Sequence, residues 1–491
     1  MRKHARTSRG IVAALLTVIL LAGCAGEAKL NKPLAPNQMN NGPGPISRGG
    51  YHMLEVGRAQ TVDTIVLLAF SGGGMRSAAF GYGVLKGMRD FPLVVDGHQE
   101  RLLDEIDMMA SVSGGSFPAA YYGLYRDKIF TDFEKDFLDH DISSYIWGTY
   151  LLPWHMGWLF ESDHGTNDRM AEVYDDLMFH GATYADLLKR GRPVLSVDAT
   201  DVDHEFVFPF LQDQFDFLCS DLLSYPISRA VAASNGFPIL FSPITLKNYR
   251  AQCGGREPSW LKGDVSRDPL SRVAKQAEIS RIYLDSKNTR YVHLLDGGIS
   301  DNLAMRGMIN TIMILTDVAN AGTRFDFTHI RRVVLISSDG QAASNAATAK
   351  ERDLSSLGQI FNAVSGTQID SYNFETMILA NKVLDDLRDT IRKSRCAAGP
   401  AARDGHPCDD VKTYFVHLSL AEIADPAERQ RLQSIPTGLS LEPENAQLLE
   451  AAGQKLVLTS PELIAFRNGL NSSVAQTKTA PTAAELSLLV P

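Results

Sequence analysis

The apolar positions of this chain fall into two periods. Thr64-Ile-Val-Leu-Leu-Ala-Phe70 is an unbroken apolar run of strand length, the pattern of a strand buried on both faces, as in a parallel sheet. It empties into Ser71-Gly72-Gly73-Gly74-Met75-Arg76, after which Ala78, Ala79, Phe80, Val84, Leu85 and Met88 recur at helical spacing. The same order returns at 106–112, an apolar stretch that leads to Ser113, Gly114 and Gly115 and then to a helical pattern with Ala119, Ala120, Leu124 and Tyr125. Further strands are predicted at 194–197, 291–295, 333–337 and 414–420. Helices are predicted over 226–234, 354–387 and 442–470, the last with a break at Pro461. Strands alternating with helices predict an α/β fold, a mostly parallel central sheet flanked by helices in three layers. The C-terminal stretch 306–491 continues the alternation and is expected to extend the same domain.

The N-terminus has another pattern. Arg2, Lys3, Arg6 and Arg9 precede an apolar segment over 11–21, too short to span a bilayer, and this reads as an export signal over 1–23. Leu21-Ala22-Gly23-Cys24 looks like a bacterial lipobox, which implies cleavage before Cys24 and lipidation of that cysteine. Ala25 behind it, rather than Asp, implies onward sorting to an outer membrane. A plain secretory signal cut after Gly23 is the alternative, and it leaves Cys24 a free thiol. Residues 24–60 are Pro, Asn, Gly and polar types without periodicity, as expected of a tether between an anchor and a folded body. Removing the four basic residues of the leader leaves 44 basic against 57 acidic residues, about −13, a balance that suggests no nucleic-acid partner.

Four cysteines remain after Cys24, an even number that suits an oxidising compartment. Local pairing joins Cys219 to Cys253 and Cys396 to Cys408, although four cysteines allow three connectivities. The segment 145–160 holds Trp147, Trp154 and Trp158. It reads either as a belt at a lipid interface or as a buried subdomain or lid.

The candidate chemistry lies at strand ends. Ser113 stands between a strand and two glycines in Ser111-Val-Ser113-Gly-Gly115, close to the G-x-S-x-G nucleophile elbow, with Ser111 in place of the first glycine. Gly72, Gly73 and Gly74 put backbone N–H groups at a helix N-terminus, an anion site suited to the oxygen of a tetrahedral intermediate. Neither a Walker nor a dinucleotide-binding spacing is present. Arg76 in that first helical turn opposes the helix dipole, so packing or a buried acid must hold it there. Tyr291-Val-His-Leu-Leu-Asp-Gly-Gly298 sets Asp296 at a third strand end. If the three strands are parallel neighbours, all three blocks meet at one sheet edge. No His, Cys and Asp grouping has metal-ligand spacing, and no cofactor is implied.

Taken together, Gly72-Gly-Gly-Met-Arg76, Ser111-Val-Ser-Gly-Gly115 and Asp296-Gly-Gly298 resemble the patatin-like phospholipase family, in that family's order. Ala233-Ser-Asn-Gly-Phe-Pro-Ile-Leu-Phe-Ser-Pro243 looks like a fourth family block. It departs from the pattern by Gly236, where alanine is common. The resemblance covers 62–305 and makes 61–305 the catalytic core. It implies a Ser113–Asp296 dyad, with the Gly72–Gly74 amides and Arg76 forming or supporting the oxyanion hole. The expected activity is hydrolysis of acyl esters of membrane lipids, as by a phospholipase A, at a bacterial envelope membrane. Acyl transfer by the same dyad and a non-catalytic, membrane-tethered binding lipoprotein are alternatives. A Ser-His-Asp triad is the mechanistic rival, with His329, His406 and His417 as candidates after the acid. His293 is three residues from Asp296 on one strand, and alternation points it to the other face.

Overall fold

A computed structural model describes residues 30–477 apart from 41–44, 54–62, 96, 145–164, 239, 259–260, 262–270, 321–326, 342–356 and 401–404. Cys24, the leader and the three tryptophans of 145–160 lie outside the described residues.

A two-residue strand, β1 (Lys32–Pro33), comes first. β2 (Thr64–Phe70) with α1 (Gly74–Asp90), and β3 (Ile106–Ser111) with α2 (Ser116–Tyr125), are the two strand-turn-helix units that the apolar periods predict. α3 (Thr166–Tyr174) leads to β4 (Val194–Asp201), which turns back as β5 (Phe206–Pro209). After β6 (Ser220–Asp221) and α4 (Ile227–Ser234) come β7 (Ile244–Lys247) and β8 (Tyr291–Leu295). The C-terminal third supplies α5 (Arg306–Asn320), β9 (Arg332–Asp339), α6 (Leu357–Ala397) and β10 (Lys412–Ser419). α7 (Pro443–Thr459) and α8 (Pro461–Thr477) close the chain, divided at Pro461.

One eight-stranded sheet runs in the order β10-β9-β2-β3-β4-β8-β7, with β5 paired to the second half of β4. β10, β9, β2, β3 and β4 are parallel. Because side chains alternate across a strand, the parallel strands feed two cores. Val66, Leu68, Phe70, Val334 and Ile336 pack with Leu85, Tyr122 and Leu449 on the α1, α2 and α7 side. Ala69, Val333 and Leu335 pack with Ile309 and Leu384 on the α5 and α6 side. Burying each large apolar side chain contributes about 1.5–3 kcal/mol, so runs such as β2 and β9 hold the three layers together. β9 and β10 belong to this sheet, which therefore draws the C-terminal third into the same body.

The strand that ends at Asp296 corrects the parallel-neighbour expectation. β8 runs antiparallel to β4 and to β7, and β4 lies between it and β3. β4 extends past the end of its pairing with β3, and β8 comes back down it, so Leu295 faces Thr200 and the chain stops near the level of the elbow. The burial of β8 alternates, with Tyr291 45% exposed and Val292 and Leu294 at 0%, as antiparallel strands with one solvated face do.

The expectation of a loose tether also needs correction over 30–40 and 45–53. Lys32 and Pro33 pair with β6. Asn31 donates to Ser220 Oγ at 2.8 Å and accepts from the Lys247 amide at 2.7 Å. Ile46 and Ser47 both donate their amides to Asp216 Oδ2. Tyr51 is fully buried, and its hydroxyl accepts from the Leu195 amide at 2.7 Å. Side-chain amides and a tyrosine make this docking, so a search for apolar periodicity does not find it.

Both local disulfides are present, Cys219–Cys253 and Cys396–Cys408. Among the described residues no helix is long and apolar enough to cross a membrane. Cys219–Cys253 closes a loop of 34 residues beneath the docked segment, where Leu34 donates its amide to the Cys219 carbonyl at 3.0 Å. Replacing both cysteines by alanine should cost about 3–4 kcal/mol through the freed unfolded chain. Urea unfolding checks this as a lowered midpoint, and an unchanged midpoint refutes it.

Candidate active site

β3 ends at Ser111, Val112 is extended, and Ser113 takes a positive φ of 49° before the turn runs into α2. Such a backbone is uncommon for a residue with a side chain and costs about 1–3 kcal/mol. Small neighbours let the turn sit against the glycine loop. A Cβ on Gly114 would strike the Gly74 carbonyl, and one on Gly115 would lie 2.6 Å from the Ser71 carbonyl. Ser111 stands in the first glycine's place, and its hydroxyl donates across to the Ser196 carbonyl on β4, at 3.4 Å. Gly236 departs from alanine because Asn167, on α3, fills the space. A Cβ there would meet Asn167 Nδ2, which donates to the Ala232 carbonyl at 2.9 Å.

The Ser113 hydroxyl lies 2.9 Å from Asp296 Oδ2 and 3.2 Å from Asn235 Oδ1. The other Asp296 oxygen accepts the Gly298 amide at 2.8 Å. Burial pushes the Asp296 carboxyl up to about 6, against the pull of the Gly298 and Ser113 hydrogen bonds. Two residues of the fourth block fix this pair. Ser234 Oγ accepts the Ser113 amide at 2.9 Å and donates to the Asp198 carbonyl at 2.6 Å, while its own carbonyl accepts the Gly297 amide at 3.0 Å. The Gly236 carbonyl accepts the Asp296 amide at 3.0 Å.

The glycine loop abuts the elbow, with the position of a Cβ on Gly72 only 3.2 Å from Ser113 Cβ. Its amides are not equivalent. Gly72 N–H is taken by the Asn302 carbonyl at 2.9 Å and Met75 N–H by the Gly438 carbonyl at 2.9 Å. Among the described residues no acceptor claims Gly73 or Gly74, which carry φ of 137° and 60° at the N-terminus of α1. The expectation of three donors therefore narrows to two. Arg76 Nη2 lies 3.5 Å from the position of a Cβ on Gly73, behind the glycine loop. Its guanidinium is buried and donates to the Gly340 carbonyl at 2.7 Å and the Ile435 carbonyl at 2.9 Å, so it braces the start of α1 that carries the glycine loop.

The triad histidines are placed elsewhere. His417 is on edge strand β10 between Asp339 and Glu422; burial works against its charge, but those acids outweigh it and lift the ring to about 9. His406 faces Arg331 at the N-terminal end of β9, and His329 precedes that strand. His293 bonds Asp203. Asp201, Asp203 and His204 do bring ligand atoms within 4.8 Å of one another, a grouping the sequence spacing did not reveal. Asp201 is occupied there by the Tyr283 hydroxyl at 2.7 Å and by the Asp203 amide of the β4–β5 turn at 2.9 Å.

Sequence reasoning missed Ser234, Asn235 and Asn302 as site residues. The only signal for the first two is their place inside the fourth block, and for Asn302 its place six residues after the acid.

An elbow serine bonded to a strand-end aspartate, beside a glycine-rich helix start on a mostly parallel sheet, defines the patatin type of α/β protein. The family model described as patatin-like phospholipase matches residues 68–309, and the chain carries a domain of that family. Among solved structures the chain is similar to human GIVD cytosolic phospholipase A2, with a TM-score of 0.44 and 12% identity over 86% of this chain and 65% of that one. It is also similar to that protein in complex with methyl gamma-linolenyl fluorophosphonate, with a TM-score of 0.37 and 11% identity over 86% and 62% of the two chains. This chain thus spans a little under two thirds of the length of those structures. A comparison with curated proteins finds no match.

Gly114→Ala provides a test of the contact between elbow and glycine loop. The methyl group must push the Gly74 carbonyl aside, moving the helix start by which donors are aimed, and each such donor is worth about 10²–10³ in rate. Turnover of a p-nitrophenyl ester should fall at least about 100-fold, and activity within a fewfold of the parent would show that the two loops move independently.

Proposed function

We propose that this chain is a serine acyl hydrolase of membrane lipids, a phospholipase A or lipid acyl hydrolase working through Ser113 and Asp296. The observation that carries the reading is the 2.9 Å contact between Ser113 Oγ and Asp296 Oδ2. Asp296 takes the hydroxyl proton as Ser113 Oγ bonds to the ester carbonyl carbon, and the carbonyl oxygen takes up the charge against the Gly73 and Gly74 amides. The proton then passes from Asp296 to the leaving alcohol as its C–O bond breaks, and water repeats the sequence on the acyl-enzyme. A carboxylate of ordinary pKa near 4 is a weak base for serine, so the burial that lifts Asp296 to about 6 helps the transfer. A small pocket of about 10 Å3 beside Gly74 has mostly apolar walls, Met75, Phe117, Phe137, Ile142 and Leu439 with Tyr174 and Asn235, and this apolar lining next to the glycine loop supports an acyl group as the part of the substrate that lies there. The phospholipase of the family description supports a lipid ester.

Ser113→Ala and Asp296→Asn should each abolish turnover, and together should be little worse than either alone, since residues acting as a unit are not additive. Replacing His329, His406 or His417 should leave most activity; one histidine variant as inactive as Ser113→Ala would establish a triad. Activity should rise with pH through about 6 as Asp296 ionises. Stability moves the other way. The folded carboxyl sits above its unfolded value near 4, so its stabilising contribution is present below pH 4 and lost as pH rises through 6, a swing of up to about 3 kcal/mol. Asp296→Asn should therefore be inactive yet more stable than the parent at pH 8 in urea unfolding, with the gain fading below pH 4. Loss of stability at pH 8 would refute the desolvation account.

We also propose that the protein is a lipoprotein of a bacterial envelope, held by lipid on Cys24 and sorted to the outer membrane. The basic and apolar leader before Leu21-Ala-Gly-Cys24 supports this. Cys24→Ser should move the protein from the membrane to the soluble envelope fraction, and unchanged retention would end the lipobox reading.

A further inference from the structure

Asn235 caps the C-terminal end of α4, is 6% exposed, and presents its side-chain amide to two hydroxyls. One end lies 3.2 Å from Ser113 Oγ and the other 3.1 Å from the hydroxyl of Tyr174, a buried residue of α3 whose ring meets Phe117 edge-on at 4.9 Å. With Oδ1 toward Ser113, the serine has one proton and two acceptors, Asp296 at 2.9 Å and Asn235, and one of them goes without. The two ends of an amide have the same shape, so the hydrogen-bond network decides the orientation. With Nδ2 toward Ser113 each of the three contacts joins a donor to an acceptor. Tyr174 donates to Oδ1, Nδ2 donates to Ser113 Oγ, and the serine proton points at Asp296 alone.

We propose that Asn235 is a catalytic residue that donates its amide N–H to Ser113 Oγ, with Tyr174 as the positioning residue that sets its orientation. This rests on the acyl-hydrolase reading. As the serine proton moves to Asp296 Oδ2, negative charge gathers on Oγ, and the Asn235 donor stabilises it before the bond to the ester carbon forms. The donor bond weakens once Oγ becomes the ester oxygen of the acyl-enzyme, so its effect falls on the acylation step. A weak carboxylate base needs this help, because without it the proton transfer is steeply uphill.

The test uses the full chain, a p-nitrophenyl ester and a fluorophosphonate probe. Asn235→Ala should lower kcat about 10–100-fold with KM little changed, the size of one hydrogen bond to a developing charge, and should slow labelling of Ser113 in proportion. Tyr174→Phe, which keeps the ring and its packing, should lower both about 3–10-fold. Asn235→Asp separates donor from acceptor: at a pH high enough to ionise both it and Asp296 its carboxylate has no proton to give, so there it should be at least as slow as Asn235→Ala. An Asn235→Asp variant with parental or higher turnover would make the residue an acceptor and second base, and would overturn the proposal. Parental labelling of Ser113 together with undiminished rates in Asn235→Ala and Tyr174→Phe would overturn it while sparing the hydrolase reading. Failure of the parent chain to label at Ser113 would overturn both.

Discussion

The site depends on one hydroxyl. Ser234 Oγ, fully buried, accepts the amide of Ser113 and donates to the carbonyl of Asp198, so it ties the elbow after β3 to the middle of β4. Its carbonyl and that of Gly236 accept the amides of Gly297 and Asp296. These ties are needed because the sheet does little to place the acid: β8 meets β4 through only two register pairs, Leu294 with Asp201 and Leu295 with Thr200. They also hold the unfavourable φ of Ser113. A buried donor or acceptor left without its partner costs about 1–3 kcal/mol, comparable with the strain itself, so loosening any one tie releases the others.

The parallel half of the sheet was legible in the sequence because strands buried on both faces are continuous apolar runs, as in β2 and β9. Ser113, Asp296 and the glycine loop were legible because each needs a strand end and small neighbours, which are local facts. The disulfides followed from an even count and short separations. What escaped depends on partners far away in the chain. The direction of β8 is set by β4, about 90 residues earlier, although the alternation of Tyr291 and His293 with Val292 and Leu294 hinted at one solvated face. The docking of 30–53 rests on Asn31, Tyr51 and amides that meet Asp216, and polar residues with specific partners look the same in sequence as polar residues in water. The glycine loop shows the same limit from the other side: three glycines announce available amides, but only the fold shows that Asn302 has claimed the first.

Charge placement explains why the most conspicuous cation of the motif avoids the acid. A guanidinium beside Asp296 would hold its carboxyl low and make a poor base poorer. The carboxylate has neutral partners instead, the Gly298 amide and the Ser113 hydroxyl, and burial is left to raise it to about 6. Arg76 points into the C-terminal third, where the Gly340 and Ile435 carbonyls receive it, and Gly438 accepts the amide of Met75 next to it. Those three carbonyls lie beyond residue 309, outside the stretch that matches the family model. The helix start that presents Gly73 and Gly74 to the serine is therefore held by chain that the family pattern does not describe. Leu439, from the same segment, lines the cavity beside Gly74. A core limited to the matched stretch would retain Ser113 and Asp296, but it would lose the carbonyls that anchor the buried cation of α1 and one wall of the cavity. The C-terminal extension is thus part of the site, because a buried guanidinium without its acceptors would not stay in the first turn of a helix whose dipole opposes it.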